Sequence, residues 1–140
     1  MPISTEFLVR CADTLEAAFE QLQQRERDDI FYDILRAASV KEFELVLEQS
    51  DGLLRRRLRP YFASNRQADR LTFKDVFWHA AKHGLISAES SERRLLYRDH
   101  RNDTAHDYGE EFAEATLPLL TTFIADAREL AAIISEGDDD

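Results

Sequence analysis

The chain has little of what β-rich, disulfide-bonded or membrane-spanning proteins need. Four glycines and three prolines leave few turn-forming residues, which argues against a many-stranded sandwich or barrel. The single cysteine, Cys11, cannot form an internal disulfide, and we expect it to be a small core residue. No apolar run approaches the roughly 18 residues of a membrane span, and a signal-peptide pattern is missing. We therefore expect a cytoplasmic protein with no membrane association.

The length of 140 residues corresponds to one domain that can bury a core without metal or disulfide bonds. We expect residues 1–136 to form a single helical domain. The aspartate-rich end, residues 137–140, is predicted to be a disordered acidic tail.

The distribution of charge narrows the possible partners. The net charge of −10 argues against general coating of nucleic acid, which needs a positive surface. Residues 55–74 nevertheless contain six arginines and one lysine against one aspartate, whereas residues 107–140 contain ten acids against one arginine. Most of these charges are expected on solvated helix faces, so only a local basic surface is available to an anion.

Apolar residues recur at helical spacing in five segments, and no segment alternates with a period of two. These patterns predict an all-α protein, an antiparallel bundle of about five helices with a four-helix up-and-down core. Local signals predict the helix ends. Ser4 or Thr5 caps the first helix, Pro60 ends the second, and a polar loop follows over residues 60–71. Thr72 and Gly84 bound the third helix, Ser87 opens a fourth that continues to about Tyr108, and Pro118 predicts a kink in the last.

Two histidines on the predicted third helix, His79 and His83, have a spacing that allows two imidazoles to bind one metal. No glutamate follows His79 in the zinc-protease pattern, and no third ligand lies nearby. We therefore interpret them as ordinary helix residues and predict no metal site.

The end of the predicted fourth helix is unusually rich in chemically capable side chains. Arg101 is a fixed cation suited to phosphate, His106 can exchange a proton near neutral pH, and Tyr108 offers a hydroxyl. On a regular helix Arg101 and His106 point about 140° apart. They converge if the helix loosens near Gly109, if the arginine wraps round, or if two subunits contribute. The alternative is a surface cluster of salt bridges.

The pattern Arg101-x4-His106-x-Tyr108 resembles the signature of HEPN domains, specifically those paired with minimal nucleotidyltransferases in toxin–antitoxin operons. Two further segments agree. Phe43-Glu44-Leu45 with Glu48 resembles the second helix of the family, and the stretch 77–86, ending in Gly-Leu-Ile, resembles its third. The resemblance covers roughly residues 5–134.

The resemblance implies a homodimer in which the motif helices of two subunits face each other across a groove. It also implies a metal-independent endoribonuclease that needs no cofactor. A ribose 2′-OH of the RNA substrate would attack the adjacent phosphate, with His106 handling a proton, Arg101 stabilising the phosphorane charge and Asn102 orienting or polarising. A partner nucleotidyltransferase would neutralise this toxin, and in some relatives it adds AMP to the tyrosine that corresponds to Tyr108.

Two functions remain open at this point. The intact motif favours the ribonuclease, for which Arg94 and Arg98 are our candidate RNA contacts. The acidic net charge favours the alternative, a non-catalytic subunit that binds substrate for a minimal nucleotidyltransferase or regulates it.

Overall fold

The computed structural model describes residues 3–102 and 109–137, and no strand occurs within these ranges. The all-α prediction is therefore confirmed. The helices are α1 (Glu6–Gln23), α2 (Ile30–Leu58), α3 (Asn65–Asp69), α4 (Phe73–Lys82), α5 (Ala88–Asn102), α6 (Glu110–Thr116) and α7 (Leu120–Gly137), with 3-10 turns at Arg59–Tyr61 and Leu117–Leu119.

The long helix α2 is the centre of the bundle. It packs against α1 and α7 on one side and against α4 and α5 on the other. The core between these helices is aliphatic and aromatic, and it includes Phe43 on α2 and Phe77 on α4, both fully buried. Cys11 is buried in the same cluster, as the sequence predicted.

Local signals placed most helix ends correctly. The Thr72 side chain accepts a hydrogen bond from the backbone N–H of Asp75 at 3.2 Å, and Ser87 accepts one from Ser90 at 3.0 Å. Gly84 follows α4 with a φ of 76°, the left-handed conformation that ends many helices. Pro118 lies in the 3-10 turn that separates α6 from α7, which confirms the predicted kink.

The polar stretch 60–71 is not the loop that the sequence predicted. It contains part of a 3-10 turn and the short helix α3, whose first turn is capped when Ser64 accepts a hydrogen bond from the N–H of Gln67. Only Ala68 of this helix is buried. A single small apolar residue gives no periodic pattern, so the spacing of apolar residues could not predict this helix.

The buried face of α2 does not include all the apolar residues at its start. Helical spacing predicts that Phe31 and Ile34 belong to the apolar stripe of this helix, but both are exposed, whereas Tyr32 is buried. The buried row of α2 runs through Tyr32, Ser39 and Phe43, so the neighbouring positions fall on the flank of the helix.

Candidate functional site

The site is built from two facing rows of charged residues. Helix α5 carries Arg94, Arg98 and Arg101, which share one face because they are four and three residues apart. Helix α2 carries three acids at the same spacing, Glu44, Glu48 and Asp51. The ion pairs run in opposite chain directions on the two helices, because Arg101 faces Glu44 and Arg98 faces Glu48 and Asp51. The three arginines differ in burial and in ion pairing along this interface. That difference decides whether each guanidinium is accessible to an anionic ligand.

Arg94 belongs to the interior. The residue is 3% exposed, and it donates to Ser90 Oγ at 3.1 Å and to the backbone oxygen of Asp126 at 2.9 Å. Burial lowers the pKa of its guanidinium, against the attraction of the Asp126 and Asp51 carboxylates. This placement corrects the sequence-based assignment of Arg94 to RNA binding, because an enclosed guanidinium is not accessible to a phosphate.

The charge of Arg98 is paired within the protein. Its Nη1 atom donates to Glu48 Oε1 at 2.9 Å and to Asp51 Oδ2 at 3.2 Å. The guanidinium also lies over the ring of Phe73, 3.9 Å from the ring centroid. With two carboxylates and an aromatic face already engaged, Arg98 is a structural cation here, and its predicted RNA contact is corrected as well.

Asp51 is the buried acid of this interface. Burial raises the pKa of its carboxyl from 3.8 to about 7, and the nearby Arg98 and Arg94 charges offset only part of that effect. Arg98 pairs with both Asp51 and Glu48, so its attraction for the Asp51 carboxylate does not outweigh the effect of burial on the Asp51 pKa. Within the described residues, Asp51 Oδ1 has no hydrogen-bond partner.

Arg101 differs from the other two arginines. Its side chain is 28% exposed, and its Nε lies 3.7 Å from Glu44 Oε2, an ion-pair distance that is too long for a hydrogen bond. Among the described residues its Nε makes no hydrogen bond. The neighbouring Asn102 is exposed. The Nε is enclosed and faces Glu44, so the donors that this 28% exposed side chain offers a ligand are its Nη groups.

An open groove of about 410 Å³ lies between α2 and the start of α6. Its lining includes Glu44, the partner of Arg101, and Gly109 at the start of α6. The wall of the groove is held by Arg36, which donates to Glu114 Oε2 at 2.8 Å. Burial raises the pKa of Glu114, but hydrogen bonds from Arg36 and Tyr32 outweigh it, and the net pKa is lowered.

His100 is a polar residue of the same helix end that sequence reasoning left without a role. Its Nε2 lies 2.8 Å from Thr116 Oγ1, and its ring stacks on Phe112 with centroids 4.8 Å apart. These contacts join the end of α5 to α6. No periodic pattern would have found them, because they connect residues on separate helices.

Helix α5, which carries Arg101 near its end, is anchored to α7 through Asp126. This buried carboxylate accepts two hydrogen bonds from Arg93, both at 2.9 Å, and one from the Tyr97 hydroxyl at 2.6 Å. Burial raises the pKa of Asp126, but these donors outweigh it and leave the pKa lowered. Sequence analysis missed Asp126, since its position among apolar residues of the last helix gave no signal.

Two of the predicted site residues, His106 and Tyr108, lie outside the described residues. The structure thus shows where Arg101 and Asn102 lie and leaves the other half of the motif a prediction. Within residues 3–102 and 109–137, no three His, Cys, Asp or Glu side chains are grouped as metal ligands. No helix in the described ranges is long and apolar enough to cross a membrane.

The fold and site define an all-α bundle protein with an ion-paired, partly exposed arginine at the end of an anchored helix. A family model described as nucleotidyltransferase substrate binding protein like matches residues 9–136, and the chain belongs to that family.

Two comparisons place the chain among characterised proteins. It is 29% identical over 126 residues to a Haemophilus influenzae protein named probable ribonuclease HepT, covering 82% of this chain and 85% of that protein. It also resembles a solved Haemophilus influenzae structure described as revealing the fold of a substrate binding domain of a nucleotidyltransferase. That match has a TM-score of 0.78 and 26% identity, and it covers 94% of this chain and 98% of the other.

Proposed function

We propose that this protein is a metal-independent endoribonuclease whose active site is a groove shared by two copies of the chain. The observation that carries the proposal is Arg101, a partly exposed arginine that Glu44 orients without forming a hydrogen bond to its Nε. Membership of the family and the likeness to a protein named probable ribonuclease support it.

The proposed reaction uses the residues of the motif. The ribose 2′-oxygen bonds to the adjacent phosphorus while the bond to the 5′-oxygen breaks. His106 accepts the proton of the hydroxyl, and the leaving oxygen takes a proton from water. Arg101 stabilises the charge that develops on the phosphorane oxygens, because a guanidinium donates two parallel hydrogen bonds to phosphate. Asn102 orients the phosphate or polarises it.

The shared groove requires a homodimer, and one exposed residue supports this requirement. Leu96 on α5 is 64% exposed, and it lines the same shallow depression as Asn102 and His100. A large aliphatic side chain beside catalytic candidates is better placed at an interface than in water. We assign the face of α5 around Leu96 to the contact between the two copies.

The proposed biological role is that of a toxin neutralised by a minimal nucleotidyltransferase. Transfer of AMP to the Tyr108 hydroxyl would bring bulk and negative charge into the proposed active site, which would inhibit binding of an RNA phosphate. The family description and the solved neighbour both concern nucleotidyltransferases, and this supports a partner of that kind.

The second candidate function is a non-catalytic subunit that binds substrate for, or regulates, the nucleotidyltransferase. The description of the solved neighbour as a substrate binding domain favours it, as does the net charge of −10. The two functions differ in one respect that is directly measurable, which is whether the isolated chain cleaves RNA.

The test is cleavage of a labelled single-stranded RNA by the purified chain in the presence of EDTA. We expect 2′,3′-cyclic phosphate ends, with activity lost on Arg101→Ala or His106→Ala. Arg10→Ala is the matched control, because Arg10 is an exposed arginine on α1, and it should retain wild-type activity. A wild-type chain that binds RNA without cutting it would favour the second function.

A further inference from the structure

A continuous chain of aromatic rings covers one end of the bundle, where the 3-10 turn after α2 meets the end of α4. We call these five residues the aromatic platform: Tyr61, Phe62, Trp78, His79 and His83. Tyr61 and His83 stack with centroids 3.8 Å apart and planes inclined by 12°. The rings of Phe62 and Trp78 each meet His79 edge to face, at 5.0 and 4.9 Å.

Three of the five platform rings are exposed to solvent. Trp78 is 58% exposed and Tyr61 47% exposed, and His83 is exposed too, whereas Phe43 and Phe77 are fully buried. Leaving such rings in water forfeits the stabilisation that burial would give. A cluster of this kind marks a surface that binds something.

One cation contacts these rings directly, and others are close to them in the sequence. Lys82 Nζ lies 5.0 Å from the centroid of the Trp78 ring. Tyr61 and Phe62 belong to the basic stretch 55–74, whose exposed cations Arg56, Arg66 and Lys74 have no ion pair among the described residues. Unlike Arg94 and Arg98, these cations remain available to an anionic ligand.

Flat exposed rings with a lysine against one of them, in a stretch rich in cations, fit one class of ligand well. Single-stranded nucleic acid offers unpaired bases that stack on aromatic faces and phosphates that bind lysine and arginine. A duplex keeps its base faces covered, so it would not engage the rings. The nearly parallel Tyr61–His83 pair provides a stack that a base continues.

We propose that the aromatic platform binds unpaired bases of single-stranded RNA, away from the residues that cut it. The choice of RNA rests on the proposed function. The platform lies on the turn after α2 and on the second half of α4, whereas Arg101 lies near the end of α5. Within the described residues no hydrogen bond, ion pair or ring contact joins a platform residue to Arg101, so variants at one site are expected to leave the other unchanged.

The sequence supplies its own reporter for this proposal, because Trp78 is the only tryptophan in the chain. We would titrate the full-length protein with a 12-residue oligouridylate carrying 2′-O-methyl groups, which prevents cleavage. Stacking of a base on Trp78 should quench its fluorescence in a saturable manner. An RNA duplex of equal length should leave the fluorescence nearly unchanged, and added salt should weaken the binding.

Substitutions then assign the binding to the rings. Tyr61→Ala and Trp78→Ala, assayed by fluorescence anisotropy of a labelled oligouridylate, should each weaken binding about tenfold or more, as expected for the loss of one stacked base. Tyr61→Phe and Trp78→Phe keep a ring and should stay within about threefold of wild type. Phe7→Ala removes an exposed ring outside the platform and should have no effect.

The outcomes separate this proposal from the proposed function. The platform is refuted if oligouridylate does not quench Trp78, if Trp78→Ala binds as tightly as wild type, or if polyglutamate quenches equally, which would point to an acidic protein partner. Cleavage without quenching would refute the platform alone. Quenching by a chain that cannot cut RNA would support the platform and refute only the ribonuclease.

Discussion

The Nη1 atom of Arg98 lies 3.2 Å from Oδ2 of Asp51, a residue that is only 1% exposed. The same nitrogen also donates a hydrogen bond to Glu48 Oε1 at 2.9 Å, so one cation pairs with a buried acid and an exposed acid at once. The contact ties α5 to α2 one turn before Arg101. The interface that positions the candidate catalytic arginine therefore contains a titratable group whose charge the protein only partly stabilises.

This relationship predicts that Asp51 makes stability depend on pH. Because its pKa is raised in the folded state to about 7, the folded chain binds more protons than the unfolded chain between about pH 4 and 7. The Asp51 contribution to the free energy of unfolding is therefore present at low pH and falls as pH rises through this window. Asp51→Asn should remove that loss, so its stability relative to wild type should be greater at pH 8 than at pH 5.

Urea unfolding at the two pH values measures the effect, which should reach a few kcal/mol, since each pKa unit corresponds to about 1.4 kcal/mol. Asp13→Asn is the control, because Asp13 is exposed on α1 and pairs only with the surface residue Arg128 in the described part of the chain. If Asp51→Asn and wild type show parallel pH dependence, the carboxyl is ionised throughout and this account of Asp51 is incorrect.

Asp126 should behave in the opposite sense. Its pKa is lowered in the folded state, so its contribution is complete above its unfolded value of 3.8 and is lost as pH falls through the folded value. Asp126→Ala leaves Arg93 and Tyr97 without their acceptor and should cost about 3 kcal/mol at pH 7, as expected for breaking a buried pair. Thermal unfolding followed by circular dichroism provides the comparison.

Arg128→Ala is the matched control for Asp126→Ala, since Arg128 is on the same helix and the substitution removes two surface ion pairs, to Asp13 and Glu16, which should cost less than about 1 kcal/mol. Equal losses for the two variants would contradict the anchoring role given to Asp126.

Two glycines should respond in opposite directions to the same substitution. Gly84→Ala places a side chain at a φ of 76° and should destabilise the protein by about 1 kcal/mol through backbone strain alone, because nothing lies within 4 Å of the new Cβ. Gly52→Ala lies within α2, where the new Cβ also meets nothing within 4 Å, and should stabilise by about 0.5–1 kcal/mol. Chemical denaturation of both variants checks the signs, and a shared sign would disprove the explanation.

Glu44 should act as a positioning residue for the proposed ribonuclease. Glu44→Gln removes the charge that orients Arg101, and we expect kcat to fall about tenfold while KM and thermal stability change little. Lys41→Ala alters the same groove one turn away and should leave kcat unchanged. A change in KM alone would instead assign Glu44 to substrate binding.

Leu96→Glu should dissociate the proposed dimer without unfolding the chain. The side chain is already exposed, so the substitution adds charge to a surface and should cost less than about 0.5 kcal/mol of monomer stability. Light scattering should shift from twice the chain mass of 16.2 kDa to that single mass, and RNA cleavage should be lost with it. Glu89→Gln, at the other end of α5, is the control that should remain dimeric. A dimer that survives Leu96→Glu would place the interface elsewhere.

The sequence by itself determined the helical class and most of the helix ends. Thr72, Gly84 and Pro118 act on the backbone within one or two turns, so their effects are readable from neighbouring residues. The helix that carries Arg101 and Asn102 was likewise predicted from its apolar spacing and its Ser87 cap, whereas its predicted extension to about Tyr108, which includes His106, lies outside the described residues.

Only the tertiary structure decided what each cation does. Arg94, Arg98 and Arg101 are alike in sequence, yet one is enclosed, one is neutralised by α2 and one keeps free donors. The opposing acids Glu44, Glu48 and Asp51 lie about 50 residues away along the chain. Their pairing depends on how α2 and α5 pack, and the energy of a charge depends on its distance from its partners and on its burial. Neither quantity exists until the helices are assembled.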